Sequence, residues 1–284
     1  MEGIALVMFI SFALVERAFS SRASKGKPPA ELVTDLFYWT SAPVLRQLEN
    51  IVVASVLAFF TLWVGSEVPG GIASGFGPLS RLPLPLALIA ALVISDLSSY
   101  WLHRLMHAVP FLWRIHAIHH SSPTLRWSSA GRTHPLNEVV NFLAGMLPCV
   151  AIGLPLQSVI TLVPVMTTWS VMVHSDLGWT FGRFGAWVVS PLGHHWHHTH
   201  SSEGGSKNFA NILSFWDRAF GTYFMPADRV PQRFGLDDEP LPENYFKQLI
   251  YPFQSATPTR ESNSVARPAW PKIEITSVRD THMP

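Results

Sequence analysis

Twelve of the 13 histidines in this chain of 284 residues fall between His103 and His200. Eight of the twelve form three boxes. His103-Arg-Leu-Met-His107 is an H-x3-H, and His116-Ala-Ile-His119-His120 is an H-x2-H-H. His194-His195-Trp196-His197-His198 repeats the second spacing from His194. At this histidine content such a triplet arises by chance about once in 10,000 starting positions, so two of them are not coincidence. Residues i, i+3 and i+4 share one face of a helix, so each box aims two or three imidazoles at one point. Neutral imidazole is a strong ligand for first-row transition metals, iron included. A lone histidine is more often a satisfied polar residue, but eight in three boxes favour metal. Eight also exceeds the four ligands of a tetrahedral ion, which points to a dinuclear centre.

The elements that must position these boxes are set by the solvent. Apolar residues make up 48% of the chain and charged residues only 14%. Residues 84–101, 136–154, 156–173 and 44–64 are long apolar runs, and 4–19 is a shorter fifth. A bilayer core of about 30 Å needs roughly 20 helical residues, so the pattern predicts an all-α, multi-pass membrane bundle of four to five spans. A cytosolic helical cap would carry the histidine-rich dinuclear site. Met1-Glu2-Gly3 lacks the basic start of a signal peptide. Arginine and lysine collect in 17–43 and 103–135, while 65–83 holds only Arg81. That bias places both basic segments, and everything after His174, on the cytoplasmic side, with the amino terminus outside. Net charge of +1 leaves no basic field for nucleic acid. One cysteine, Cys149, excludes a disulfide scaffold and a Cys-based zinc module. The expected divisions are an anchor over 1–83, a catalytic domain over 84–225, and a carboxyl-terminal segment over 226–284 with a loose tail from about 254.

On a helix Asp96, His103 and His107 lie within about 40° of one another, with Tyr100 beside the stripe. An acid within lipid needs a partner, so Asp96 is expected to hold a ligand histidine in its tautomer, the alternative being a packing bond to Ser98 or Ser99.

Asp96-Leu-Ser-Ser-Tyr-Trp-Leu-His103-Arg-Leu-Met-His107, followed by the two H-x2-H-H boxes, resembles the fatty acid hydroxylase/sterol desaturase superfamily. The resemblance extends to Arg132-Thr-His134-Pro-Leu, His174-Ser-Asp, and Asn208-Phe through Trp216-Asp217-Arg218-Ala-Phe-Gly221-Thr-Tyr223, covering residues 85 to 225. It implies an integral-membrane diiron oxygenase with two Fe ions, which Zn could replace, and O2 as cosubstrate. The ligands so implied are His103, His107, His116, His119, His120, His194, His197 and His198, with His174 as a further one. His134, in R-x-H-P, is either a ligand or an orienting residue. His195 is expected in a supporting or surface position, His200 as a local cap and His282 at the surface. Asn137 stands near the acid of the H-P-x-E pattern while Glu138 follows it, so the register there stays open. Asp217 and Arg218 either support the ligands or pack.

The expected reaction is O2-dependent hydroxylation, or alternatively desaturation, of an unactivated C–H bond in a membrane lipid. Without a G-x-G-x-x-G, a C-x-x-C or a fused haem-binding H-P-G-G, electrons must come from a separate donor: cytochrome b5, ferredoxin or a reductase. A membrane metal transporter should spread its ligands across mid-bilayer rather than beyond the helix ends. A bis-histidine haem protein would leave most of the rings unexplained, and a zinc hydrolase lacks H-E-x-x-H.

Overall fold

A computed structural model describes residues 2–20, 28–64, 71–236, 241–242 and 244–254. The basic residues Arg22, Lys25 and Lys27, the tail beyond 254 and His282 lie outside the described residues. Everything that positions the site belongs to the first of two compact units, Met1–Pro252.

Ten α-helices are described: α1 (Glu2–Phe19), α2 (Pro29–Val64), α3 (Gly71–Ser74), α4 (Leu84–Ala108), α5 (Pro110–His120), α6 (Pro135–Ala151), α7 (Leu156–His174), α8 (Pro191–His197), α9 (Phe215–Ala219) and α10 (Tyr245–Ile250). No strand occurs among the described residues, only two isolated bridges, Ser20 with Leu177 and Thr199 with Phe234. The expectation of an all-α chain with membrane helices holds. The expected count of four to five spans is not confirmed among the described residues. Three helices, within α2, α4 and α7, are long and apolar enough to cross a bilayer. The run over 136–154 becomes the shorter apolar α6, which closes at Ala151 because a tight turn follows. In that turn Gly153 has φ +92°, and a Cβ there would meet the Phe76 carbonyl oxygen at 2.2 Å. Glycine is therefore needed to reverse the chain into α7. The 4–19 run forms α1, which carries Glu2, Glu16 and Arg17 among its 18 residues.

The bundle packs around Ala87 and Ala91 of α4, Met146, Cys149 and Val150 of α6, and Val159 and Leu162 of α7. Small residues let α4 and α6 approach closely: Ser95 Oγ donates to the Gly145 carbonyl at 2.9 Å. Outward, Leu48, Ile51, Phe59, Leu86, Ile89 and Val165 are exposed, as a lipid-facing surface requires. Glu16, 3% exposed, ties α1 to the rest by accepting from Arg126 Nη1 (2.7 Å) and from the backbone N–H groups of Trp127 and Asp176.

Proline sets the corners that matter for the site. Val109, before Pro110, is extended (φ −96°, ψ 118°), as a residue preceding proline prefers, and Pro110 opens α5 at its first turn. The α4 helix thus stops just after its H-x3-H and folds back, setting His103 and His107 against the face of α5 that bears His116 and His120. Proline likewise starts α6 and α8, with His134 and Ser190 as their caps.

Candidate metal centre

The nine rings that the resemblance implies as ligands sort into two buried groups. His103, His107, His116, His120 and His197 form the first, and His119, His174, His194 and His198 the second. Within each group one nitrogen of every ring lies within 4.8 Å of the others. The groups adjoin: ring centroids of His120 and His198 are 4.3 Å apart, and those of His119 and His198 share the second group at 4.7 Å. His119 and His120, neighbours on α5, point to different groups.

Five rings are oriented by oxygen acceptors behind them. The Nδ1–H of His103 donates to the Phe209 carbonyl (2.8 Å), that of His116 to Asn137 Oδ1 (3.0 Å) and that of His119 to the Arg132 carbonyl (3.2 Å). His174 donates to the Ser170 carbonyl (2.7 Å) and His197 to the Lys207 carbonyl (2.8 Å). With the proton on Nδ1, each ring presents an Nε2 lone pair to its group. Such outer partners fix tautomer and ring angle in metal sites.

This assignment has a sharp consequence. His103 and His116 face each other Nε2 to Nε2 at 3.0 Å, and His119 and His174 do so at 3.1 Å. With all four Nδ1 atoms committed as donors, neither contact has a proton to share. Two lone pairs at that distance repel unless a cation lies against both. Metal–imidazole bonds of about 2.1 Å at right angles put neighbouring nitrogens about 3.0 Å apart. The further separations of 3.2 Å (His116–His120) and 3.1 Å (His174–His194, His194–His198) fall in the same range. The His107 and His197 Nε2 atoms are buried without a hydrogen-bond partner, as ligand atoms would be. The residues fit two imidazole-bound transition-metal ions.

Burial, then the charge that neighbouring rings would carry, holds His116, His119, His120, His194, His197 and His198 well below the ordinary histidine pKa. The rings are therefore neutral and ready to bind metal at physiological pH. In the metal-free protein the sign of the linkage is unfavourable to acid. Below about pH 6.5 the unfolded chain takes up protons that the folded chain refuses, costing up to ~1.4 kcal/mol per pH unit for each ring. The thermal midpoint of chelator-treated protein is expected to fall steeply as pH drops from about 6.5 to about 5. A flat profile would contradict the neutral, buried cluster.

The other candidate residues are not brought to the two groups. His134 caps α6: its Nδ1 accepts from the Leu136 N–H, and its Nε2 donates to the Leu249 carbonyl, both at 3.1 Å. His195 is fully buried rather than at the surface, and its Nε2 donates to the Ser175 carbonyl at 2.9 Å. His200 is a local contact, with Nδ1 2.8 Å from Ser202 Oγ. Asp96 is hydrogen-bonded to neither a histidine nor Ser98 or Ser99; its two oxygens accept from the N–H groups of Ile212 (2.9 Å) and Leu213 (2.8 Å). Tyr100 bonds Thr222 Oγ1 at 2.8 Å, and Thr222 donates to Asp217 Oδ1. Asp217 accepts from the N–H groups of Phe209 (2.7 Å) and Ala210 (3.1 Å), while Arg218 stacks over Tyr223. The expected link from Asp96 to a histidine is corrected by one step: two acids clamp four amides of the 209–213 strap, and the Phe209 carbonyl of that strap orients His103.

The open register over 135–138 resolves itself. Asn137 faces His116, and Glu138 lines a cavity. Arg132, 2% exposed, is held by Asp35 of α2 at 2.7 Å, which fixes the carbonyl behind His119. Asp35 was not legible as a partner, because nothing local marks an acid 97 positions away.

A cavity of about 290 Å³ lies between α2, α6 and α7 and reaches His103 and His116 of the first group and His119, His174 and His194 of the second. A molecule entering it meets both groups.

The profile of the fatty acid hydroxylase family matches residues 88–222, which contain all nine rings. Over these residues the chain is similar to a fatty acid hydroxylase domain. Among curated relatives of this domain are the ornithine lipid hydroxylase of Rhizobium tropici (28% identical; 63% of this chain, 54% of the relative) and human alkylglycerol monooxygenase (26%; 80% and 48%). A methylsterol monooxygenase of Arabidopsis thaliana is 27% identical over 54% of this chain and 53% of its own length. The chain thus spans about half the length of the first curated relatives it matches. No solved structure matches it.

Proposed function

We propose that the chain is a membrane-bound diiron oxygenase that hydroxylates an unactivated C–H bond of a lipid, with desaturation as the alternative outcome of the same first hydrogen removal. The observation that carries this reading is the pair of lone-pair contacts, His103–His116 and His119–His174, each with its protons committed outward. His103, His107, His116, His120 and His197 would hold one ion, and His119, His174, His194 and His198 the other. Iron bound there supplies activation of O2 with electrons delivered from outside; zinc would occupy the rings without that chemistry. The relatives' names refer to an ornithine lipid, an alkylglycerol and a methylsterol, all of them lipids.

The chain's own residues do the positioning. Five oxygen acceptors hold the rings, the Asp96–Asp217 clamp holds the strap behind His103, and the cavity admits a substrate to both groups. Helices α4 and α7 carry their histidines in their carboxyl-terminal turns, which supports a centre at one membrane face. Basic residues in 17–43 and 103–135 support the cytoplasmic face. An electron donor (cytochrome b5, ferredoxin or a reductase) is part of the reading.

The test is lipid extraction from cells with and without the gene, grown under 18O2. A lipid gaining one 18O atom only when the gene is present, and absent under anaerobic growth, is expected for hydroxylation; loss of two hydrogens without label would assign desaturation. Oxygen-independent product would reject the reading.

A further inference from the structure

The four-ring group is braced from outside residues 88–222, the stretch that resembles the fatty acid hydroxylase family. Its His119 is oriented by the Arg132 carbonyl at 3.2 Å, and its His174 is followed directly by Ser175 and Asp176. The Ser175 carbonyl in turn holds His195, the chain neighbour of His194, at 2.9 Å. Three of the four rings therefore depend on two short pieces of backbone, 126–132 and 175–176.

Two acids of the amino-terminal helices fasten both pieces. Glu16 of α1 bridges them. One of its oxygens accepts from Arg126 Nη1 (2.7 Å), the other from the N–H groups of Trp127 (3.0 Å) and Asp176 (3.1 Å). Ser20, just past α1, donates to Asp176 Oδ2 at 2.6 Å. Asp35 of α2 accepts from Ser128 Oγ (2.6 Å) and from Arg132 Nε (2.8 Å) and Nη2 (2.7 Å). Both acids are buried, and buried donors cannot exchange a lost acceptor for solvent. Packing closes the same contact. Trp39 Nε1 donates to the Ser128 carbonyl (2.9 Å), and a Cβ on Gly131 would meet the Trp39 ring at 2.5 Å. The 127–131 turn is pinned against α2.

The five-ring group has other supports. His103 and His197 lean on the carbonyls of Phe209 and Lys207, and His116 on Asn137 of α6. Glu31, which accepts from Ser122 and Thr124, stands two positions beyond His120 and so sides with neither group.

We propose that Glu16 and Asp35 are positioning residues for the four-ring group, so that the metal-holding unit includes α1 and the start of α2. The proposal rests on each histidine group holding one ion. It makes the brace the counterpart of the Asp96–Asp217 clamp: one pair of acids sets the backbone behind each group.

The experiment is anaerobic Fe(II) loading of the purified full chain in detergent, followed by titration with ferrozine, in two backgrounds. His120→Ala leaves the four-ring group intact, and His198→Ala leaves the five-ring group intact. Adding Asp35→Asn to His120→Ala is expected to lower the ferrozine concentration that removes half the iron by about tenfold, the effect of freeing an outer partner of a metal-bound ring. Added to His198→Ala, it should change that concentration by less than about twofold. Glu16→Gln keeps one side-chain carbonyl oxygen and leaves the Arg132–Asp35 pair in place. It should give the same pattern with a shift of about threefold, and it decides the result if Asp35→Asn does not fold. A role in general stability would loosen iron in both backgrounds alike. Such equal loss, or no loss in either, would overturn the proposal and leave the two groups standing. If either background failed to hold about one iron before an acid is changed, one ion per group would be wrong and the proposal would fall with it.

Discussion

Product formation in membranes carrying His120→Ala or His197→Ala is expected to fall by more than about 100-fold, with membrane insertion intact. Outer partners of metal-bound histidines cost about 10–100-fold when removed, so a ring inside the sphere must cost more. The two groups add a finer expectation. His120 and His197 belong to the five-ring group and His194 and His198 to the four-ring group, so each single change should lower iron from two to about one per chain. His195→Ala is the internal control. Its ring is buried and bonded to the Ser175 carbonyl, so the change should lower the thermal midpoint and leave iron at the wild-type ratio. His282→Ala should alter neither. Full turnover by His120→Ala would remove that ring from the ligand set.

The second large effect concerns residues that touch no ligand ring. Asp96→Ala combined with Asp217→Ala would strip acceptors from four buried amides, those of Phe209, Ala210, Ile212 and Leu213. Each amide left without a partner costs ~1–3 kcal/mol, so the strap should loosen before the bundle does. Released with it is the Phe209 carbonyl behind His103, and the Lys207 carbonyl behind His197 lies two residues away. Both rings sit in the five-ring group. The expected outcome is an iron ratio near one per chain and activity down by about 10–100-fold, with the four-ring group still loaded. Asp217→Asn, which keeps one carbonyl oxygen, should fall between wild type and alanine. If the paired alanines lost iron equally from both groups, the strap would be a general fold element and not a support for one group.

Much of this was legible in the residues because imidazole spacing is a local code. A box at i, i+3, i+4 predicts a shared face whatever surrounds it, and the nine implied ligands are the nine rings that gather. Proline at 110, 135 and 191 marked helix starts in the same local way. What stayed hidden was carried by backbone. The carbonyls of Phe209, Arg132, Ser170 and Lys207 orient four rings, and a carbonyl has no residue type to read. Asp96 shows how this misleads: its place on the His103 stripe suggested a ring partner, but its oxygens are taken by two amides more than a hundred positions away. His134 was ambiguous for a related reason, since capping and ligation use the same lone pair. Hydropathy alone does not register the Gly153–Pro155 turn that shortens α6 or the charges within α1, so three of the four to five expected spans meet the length and apolarity of a crossing among the described residues.

The most direct test of a paired histidine centre is iron quantitation together with Mössbauer and optical spectra of the purified full chain, loaded anaerobically with 57Fe(II). Two irons per chain, in two nitrogen-rich environments and without a Soret band, are expected from a five-ring and a four-ring group. A single iron per chain at saturation, or a haem spectrum, would contradict the pairing on which the proposed chemistry depends.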